Sequence, residues 1–136
     1  AEAILREIGE PRLRGMLRLA GYIPNSDLPA IYNRASAFLY TSLRESFGIP
    51  QLEAMACGTP VVTSATSAIP EVAGQGAILV DPTDPTAIAD ALLRLETDAE
   101  FRAGQVAYGL ERVKQFSWEK TARHLLALYE SLGKTN

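Results

Sequence analysis

The chain has 136 residues, 47% of them hydrophobic and 21% charged, with a formal net charge of −3. That length suits one domain with a real core, and the ordinary apolar content excludes fibrous, low-complexity and disordered classes. The acidic balance argues against nucleic acid as the main partner, and a single cysteine, Cys57, excludes a disulfide scaffold and fits a reducing compartment.

In chain order, Met16–Tyr22 reads as a first strand. Ser26 is the expected N-cap of a helix that places Leu28, Ile31, Tyr32 and Ala35 at i, i+3, i+4 and i+7. Ala37–Thr41 reads as a second strand. Pro50 fits the first turn of a helix over Gln51–Cys57, with Gly58 as its left-handed stop. Pro60–Ser64 is a third strand, Ile69-Pro70-Glu71-Val72 opens a short helix, and Ala77–Val80 is a fourth strand. Asp84 caps a helix with Pro85 at its first position and Ile88, Ala91, Leu92 and Leu95 on one face. Asp98 begins the next. Ser117 caps a terminal helix over about 117–133, with Trp118, Ala122, Leu125, Leu126 and Tyr129 as its apolar stripe.

The last three strands are apolar almost throughout rather than alternating, which is how strands buried on both faces of a parallel sheet read. Alternation of strand and helix therefore predicts an α/β fold, a Rossmann-like open parallel sheet with flanking helices on both faces. No apolar run approaches the ~18 residues of a transmembrane segment, and AEAILREIGE does not read as a signal peptide. A soluble, cytoplasmic domain is the expectation. Six acids in residues 81–100 and six bases from Arg102 onward read as solvated helix faces.

Ligands of open α/β sheets bind beyond the carboxyl ends of the strands. Of the segments there, Thr41 to Pro50 stands out, because it runs from a strand end through Gly48 into a helix N-terminus. Such a terminus favours an anion, usually phosphate. Glu45 and Glu53 flank it, Glu53 lying three residues past Pro50, or ~4.5 Å along the helix axis. Two carboxylates beside a phosphate site suit a ligand with hydroxyl-rich groups around an anionic centre, as in a nucleoside diphosphate sugar. The spacing also admits a plainer reading: an exposed loop glutamate, and a second one near the favourable end of the helix dipole.

The run Glu45-Ser46-Phe47-Gly48-Ile49-Pro50-Gln51-Leu52-Glu53 resembles the E-x7-E signature of retaining glycosyltransferases of the GT-B fold, the "glycosyl transferases group 1" family. Similarity continues through Ile69-Pro70-Glu71-Val72, Ala77 to Pro82 and Phe116 to Ala122, and reaches back to Leu19–Pro24 and Leu28–Tyr32. The resemblance implies that Glu45 contacts donor-sugar hydroxyls and that backbone amides of Ser46, Phe47, Gly48 and Ile49 meet the sugar and diphosphate. It implies that Glu53 binds the ribose, that Gly21, Tyr22 and Ile23 line the base pocket, and that Ser42 stands beside it. Ser46 replaces the commoner glycine. The implied donor is a nucleoside diphosphate sugar, with a leaning toward GDP-mannose. No separate cofactor or metal is implied, since Asp81-Pro82-Thr83-Asp84 has the wrong spacing for a metal motif and reads as a turn followed by a cap.

Measured against that family, the chain lacks the first two strands of the C-terminal half, a basic pair that grips diphosphate, and the N-terminal acceptor-binding half. Arg12, Arg14 and Arg18 do not match the pair. A truncated donor-binding domain, inactive by itself, is the expectation, with membrane association belonging to the full enzyme. The Met16–Tyr22 strand would lose its neighbours and need an unusual partner, such as a second copy of the chain. His124 is expected at the surface and Cys57 in a core-lining role. The competing expectation is a non-catalytic nucleotide-sugar-binding or assembly module; a flavodoxin-like receiver is disfavoured because the strand ends lack an acidic cluster with a matching lysine.

Overall fold

The computed structural model describes Leu13 and residues 15–133. Arg12, Arg14 and the first ten residues lie outside the described part. The elements run α1 (Leu28–Arg34), β1 (Phe38–Tyr40), α2 (Ile49–Ala56), β2 (Val61–Ser64), α3 (Ile69–Ala73), β3 (Ala77–Val80), α4 (Pro85–Thr97), α5 (Ala99–Val113) and α6 (Trp118–Gly133).

The three strands form one parallel sheet in the order β1-β2-β3, with Phe38 opposite Val61 and Val61 opposite Ala77. A central strand in such a sheet is covered on both faces, and all four residues of β2 are buried. The pleat sends alternate side chains to opposite faces. Val61 and Ala77 join Tyr32, Ala54, Met55 and Ala73 in one apolar cluster. Val62 and Val80 join Ala91 and Leu95 in the other. Helices therefore cover both faces, as expected. Helix α5 packs on α2, α4 and β3, and it approaches α2 closely because Gly109 has no Cβ to meet the Met55 side chain.

The expected caps hold in most places. Asp84 accepts from the amides of Thr86 and Ala87, Asp98 from that of Phe101, and Ser117 from that of Lys120. Asp81 accepts from the amide and hydroxyl of Thr83, which builds the turn before α4. Ser26 is a correction. Asp27 is the N-cap of α1, without a side-chain cap bond, and the Ser26 hydroxyl donates to the Asp27 carboxylate instead. Helix α1 ends at Arg34, with Ala35 as its extended C-cap.

The larger correction concerns Met16–Tyr22. This segment is not a strand: it runs as an irregular, exposed stretch, with Met16 79% and Tyr22 88% accessible. A strand exists only where its backbone groups find a ladder partner, and among the described residues no element lies beside it to supply one. The apolar pattern was present; the pairing was not. Terminal helix α6 buries none of its residues, and its Trp118, Leu125, Leu126 and Tyr129 stay exposed. No described helix is long and apolar enough to cross a membrane.

The Asp84 cap makes the clearest stability test. Asp84→Ala should lower the free energy of unfolding by about 1 kcal/mol through loss of both amide bonds, read as a lower urea midpoint at unchanged m-value.

Candidate functional site

The site is built where β1 and β2 release the chain at their carboxyl ends. After Tyr40 the chain turns outward and crosses to α2, and hydroxyls following Val62 pin it to β2. Thr63 donates its hydroxyl to the Tyr40 carbonyl at 2.9 Å, Ser64 to that of Ser42 at 2.6 Å, and Thr66 to that of Leu43 at 3.4 Å. Ser67 donates to the Glu45 carbonyl at 2.5 Å and accepts from the Glu45 amide at 3.2 Å. Among the described residues Ser67 is also the one non-glycine residue held at positive φ, 60°, a conformation that persists where surrounding contacts impose it.

Glu45 is half-buried at the centre of this arrangement. Its Oε1 accepts from the Tyr40 phenol at 2.6 Å and from the Ser42 hydroxyl at 3.0 Å. Burial first, and then the hydrogen bond to Glu45, push the Tyr40 phenol up to about 12. Glu53 is exposed on α2, and its Oε2 accepts from the Tyr32 phenol at 3.4 Å. Burial followed by the nearby Glu53 charge raises the Tyr32 phenol as well.

Between the glutamates, Gly48 caps α2 with φ 83° and ψ 55°. A Cβ there would stand 2.9 Å from Gln51 Nε2, so the position demands glycine both for conformation and for space. Gln51 is wholly buried and donates from Nε2 to the Phe47 carbonyl, which steadies the turn from beneath. The amides of Ser46, Phe47, Gly48 and Ile49 donate to no acceptor among the described residues. Those of Gly48 and Ile49 are orphan donors of the α2 entrance, and those of Ser46 and Phe47 belong to the loop before it. Phe47 packs edge-on against Phe116 at 5.6 Å. The Arg112 guanidinium lies over that second ring and donates to the Val72 and Glu71 carbonyls at the end of α3.

The structure thus brings Ser42, Glu45, Ser46, Phe47, Gly48, Ile49 and Glu53 to one end of the sheet. Gly21, Tyr22 and Ile23 lie on the segment before α1. Tyr22 and Ile23 line a shallow concavity of about 610 Å³ with Arg18, Leu19 and Ile31. His124 is exposed, and Cys57 is the C-cap of α2, packed against the core cluster. Sequence reasoning missed Tyr32, Tyr40, Ser67 and Phe116. The hydroxyl-rich run Thr63-Ser64-Ala65-Thr66-Ser67 directly after two valines was the available signal for Ser67; Tyr40 read simply as a strand residue.

An open parallel sheet of this order, flanked by helices on both faces, defines a Rossmann-like domain. Residues 4–112 match the family described as Glycosyl transferases group 1, and the chain belongs to that family. The O-antigen chain mannosyltransferase B of Escherichia coli is 42% identical over 118 residues, covering 87% of this chain and 31% of that protein. The D-inositol 3-phosphate glycosyltransferase of Corynebacterium urealyticum is 37% identical over 133 residues, covering 96% of this chain and 31% of that protein. The solved structure of sucrose-phosphate synthase from Thermosynechococcus elongatus superposes with a TM-score of 0.87 at 31% identity, covering 99% of this chain and 35% of that one. The fold is the Rossmann-like C-terminal part of a GT-B architecture. The chain spans about a third of the length of the curated relatives it matches.

Two predictions follow from the geometry. Gly48→Ala places a Cβ against Gln51 in a left-handed conformation that costs about 1–2 kcal/mol, so the urea midpoint should fall. The raised Tyr40 phenol keeps its proton in the folded state while an unfolded tyrosine loses it near 10. Its contribution is therefore complete below pH 10 and is lost as pH rises toward about 12. Alkaline denaturation followed by circular dichroism should show a shallower loss over that window in Tyr40→Phe.

Proposed function

We propose that this chain is the donor-binding domain of a retaining glycosyltransferase. In this reading a hexosyl group, specifically mannosyl, passes from a nucleoside diphosphate sugar such as GDP-mannose to a glycan or lipid-linked acceptor. The observation that carries the reading is the glutamate pair around the α2 entrance. Each of Glu45 and Glu53 has one oxygen tied to a tyrosine and one with no protein partner among the described residues, and four free amides lie along the chain between them. Homology to a named mannosyltransferase supports the sugar class.

The residues then divide the ligand between them. Glu45 accepts from donor-sugar hydroxyls beside the reacting carbon. The amides of Ser46, Phe47, Gly48 and Ile49 and the α2 dipole hold the diphosphate. Glu53 accepts from the ribose hydroxyls. Gly21, Tyr22 and Ile23 border the base, and Ser42 fixes Glu45.

In the transfer, the bond between the anomeric carbon and the diphosphate oxygen breaks, and the electron pair leaves with the diphosphate. The acceptor hydroxyl oxygen bonds to the same face of that carbon, and its proton goes to the departing diphosphate. Negative charge grows on the leaving group, where free amides aimed from a helix entrance stabilise it most. No step calls for a metal. The acceptor half of the full-length enzyme, a cytoplasmic protein peripheral to the membrane in this reading, completes the cleft. The chain alone is then expected to bind donor without turning it over.

Calorimetric titration of the chain with GDP, UDP, GDP-mannose and UDP-glucose tests this reading. One nucleotide should bind in preference to the other, and Glu53→Gln should weaken that nucleotide about tenfold through loss of charge-assisted hydrogen bonds. Binding of none of the four, or binding indifferent to Glu53→Gln, would count against it.

A further inference from the structure

We propose that Tyr40 and Tyr32 are positioning residues, each phenol holding one glutamate, so that Tyr40 governs affinity for the sugar and Tyr32 affinity for the ribose. The inference rests on the donor-binding reading above and adds two residues to it.

The two pairs are built alike. Tyr40 Oη donates to Glu45 Oε1 at 2.6 Å, and Tyr32 Oη donates to Glu53 Oε2 at 3.4 Å. A phenol that donates to one carboxylate oxygen leaves the other to accept from outside, and it fixes which way that second oxygen faces. No cation pairs with either glutamate among the described residues, so hydroxyl donors orient them: Tyr32 for Glu53, and Tyr40 for Glu45 with the Ser42 hydroxyl on the same oxygen at 3.0 Å.

The tyrosines are themselves joined. Tyr32 meets Phe38 edge-on at 5.2 Å, and Phe38 stacks on Tyr40 at 5.8 Å with the planes 17° apart. Phe38 and Tyr40 share a face of β1 because they are two residues apart, and Tyr32 reaches them from α1. A row of three rings therefore runs from one glutamate to the other and sets their separation through rigid side chains with few rotatable bonds. Tyr40 also touches the loop, its Cε1 lying 3.5 Å from where a Gly48 Cβ would stand. Both phenols are raised above their ordinary value, so each remains a donor throughout the neutral range.

For Tyr40 a merely structural tie would affect all ligands equally, whereas the positioning role separates the nucleotide sugar from its free nucleotide; for Tyr32 the discriminating readout is the ligand-free titration below. Tyr40→Phe and Tyr32→Phe are to be titrated calorimetrically with GDP, GDP-mannose, UDP and UDP-glucose beside the unmodified chain. Tyr40→Phe should weaken the preferred nucleotide sugar about tenfold and leave its free nucleotide within about twofold. Tyr32→Phe should weaken both by similar factors. Equal losses for nucleotide and nucleotide sugar in Tyr40→Phe, or no loss in either variant, would overturn the proposal.

A ligand-free measurement keeps its failure apart from that of the donor-binding reading. With 13Cζ-labelled tyrosine, the Tyr40 resonance should titrate late in the unmodified chain and earlier in Glu45→Gln, with Tyr32 shifting in Glu53→Gln. Unchanged titrations in these variants would show the pairs to be absent and overturn the inference. Shifted titrations in a chain that binds none of the four probes would place the failure in the donor-binding reading instead.

Discussion

Hydroxyl-to-carbonyl bonds from Thr63, Ser64, Thr66 and Ser67 are the constraint on which the site depends. The backbone ladder between β1 and β2 stops at Tyr40 and Thr63. Beyond that point the two chains diverge, and loop carbonyls would otherwise have to seek water. Side-chain hydroxyls continue the work of the ladder, each satisfying a carbonyl at a cost far smaller than leaving it unpaired. The loop can then carry Glu45 in a fixed place while the amides of Ser46, Phe47, Gly48 and Ile49 remain uncommitted among the described residues. Rigidity in the carbonyls and freedom in the amides are two sides of one arrangement.

The same division appears on the opposite side of the loop. Phe47 leans on Phe116, and Arg112 binds that ring to the end of α3, the helix that begins just after Ser67. Residues from β2, the β2–α3 connection and the α5–α6 connection thus converge on a loop that none of them belongs to. Under the donor-binding reading Glu45 depends on this support, because a carboxylate serves as a selective acceptor only when its direction is set in advance.

Much of the fold was legible in the sequence because its signals are local. The valines of β2, the aspartate caps at Asp84 and Asp98 and the left-handed stop at Gly58 each act within a few residues of themselves. The glutamate spacing and Gly48 were legible for the same reason, and the family likeness gave them meaning. Met16–Tyr22 was misread because strand formation is a property of two segments, and an apolar pattern in one says nothing of whether the other is present. Tyr32, Ser67 and Phe116 were missed because their roles arise between elements distant along the chain: 21 residues separate Tyr32 from Glu53, and 22 separate Ser67 from Glu45. Tyr40 is only 5 residues from Glu45, but in an apolar strand it read as a core residue and not as a hydrogen-bond donor.

The order β1-β2-β3 has a kinetic meaning beyond its place in the architecture. Each strand docks beside the one made just before it, across one short crossover helix. Loop closure therefore costs little entropy at each step, and among the described strands none waits for a partner made much later. Assembly can follow synthesis from β1 outward, with β2 gaining its second neighbour only when β3 arrives. The hydroxyls that fasten the loop after β1 belong to β2 and to the few residues after it, so that loop is secured as early as β1 and β2 meet.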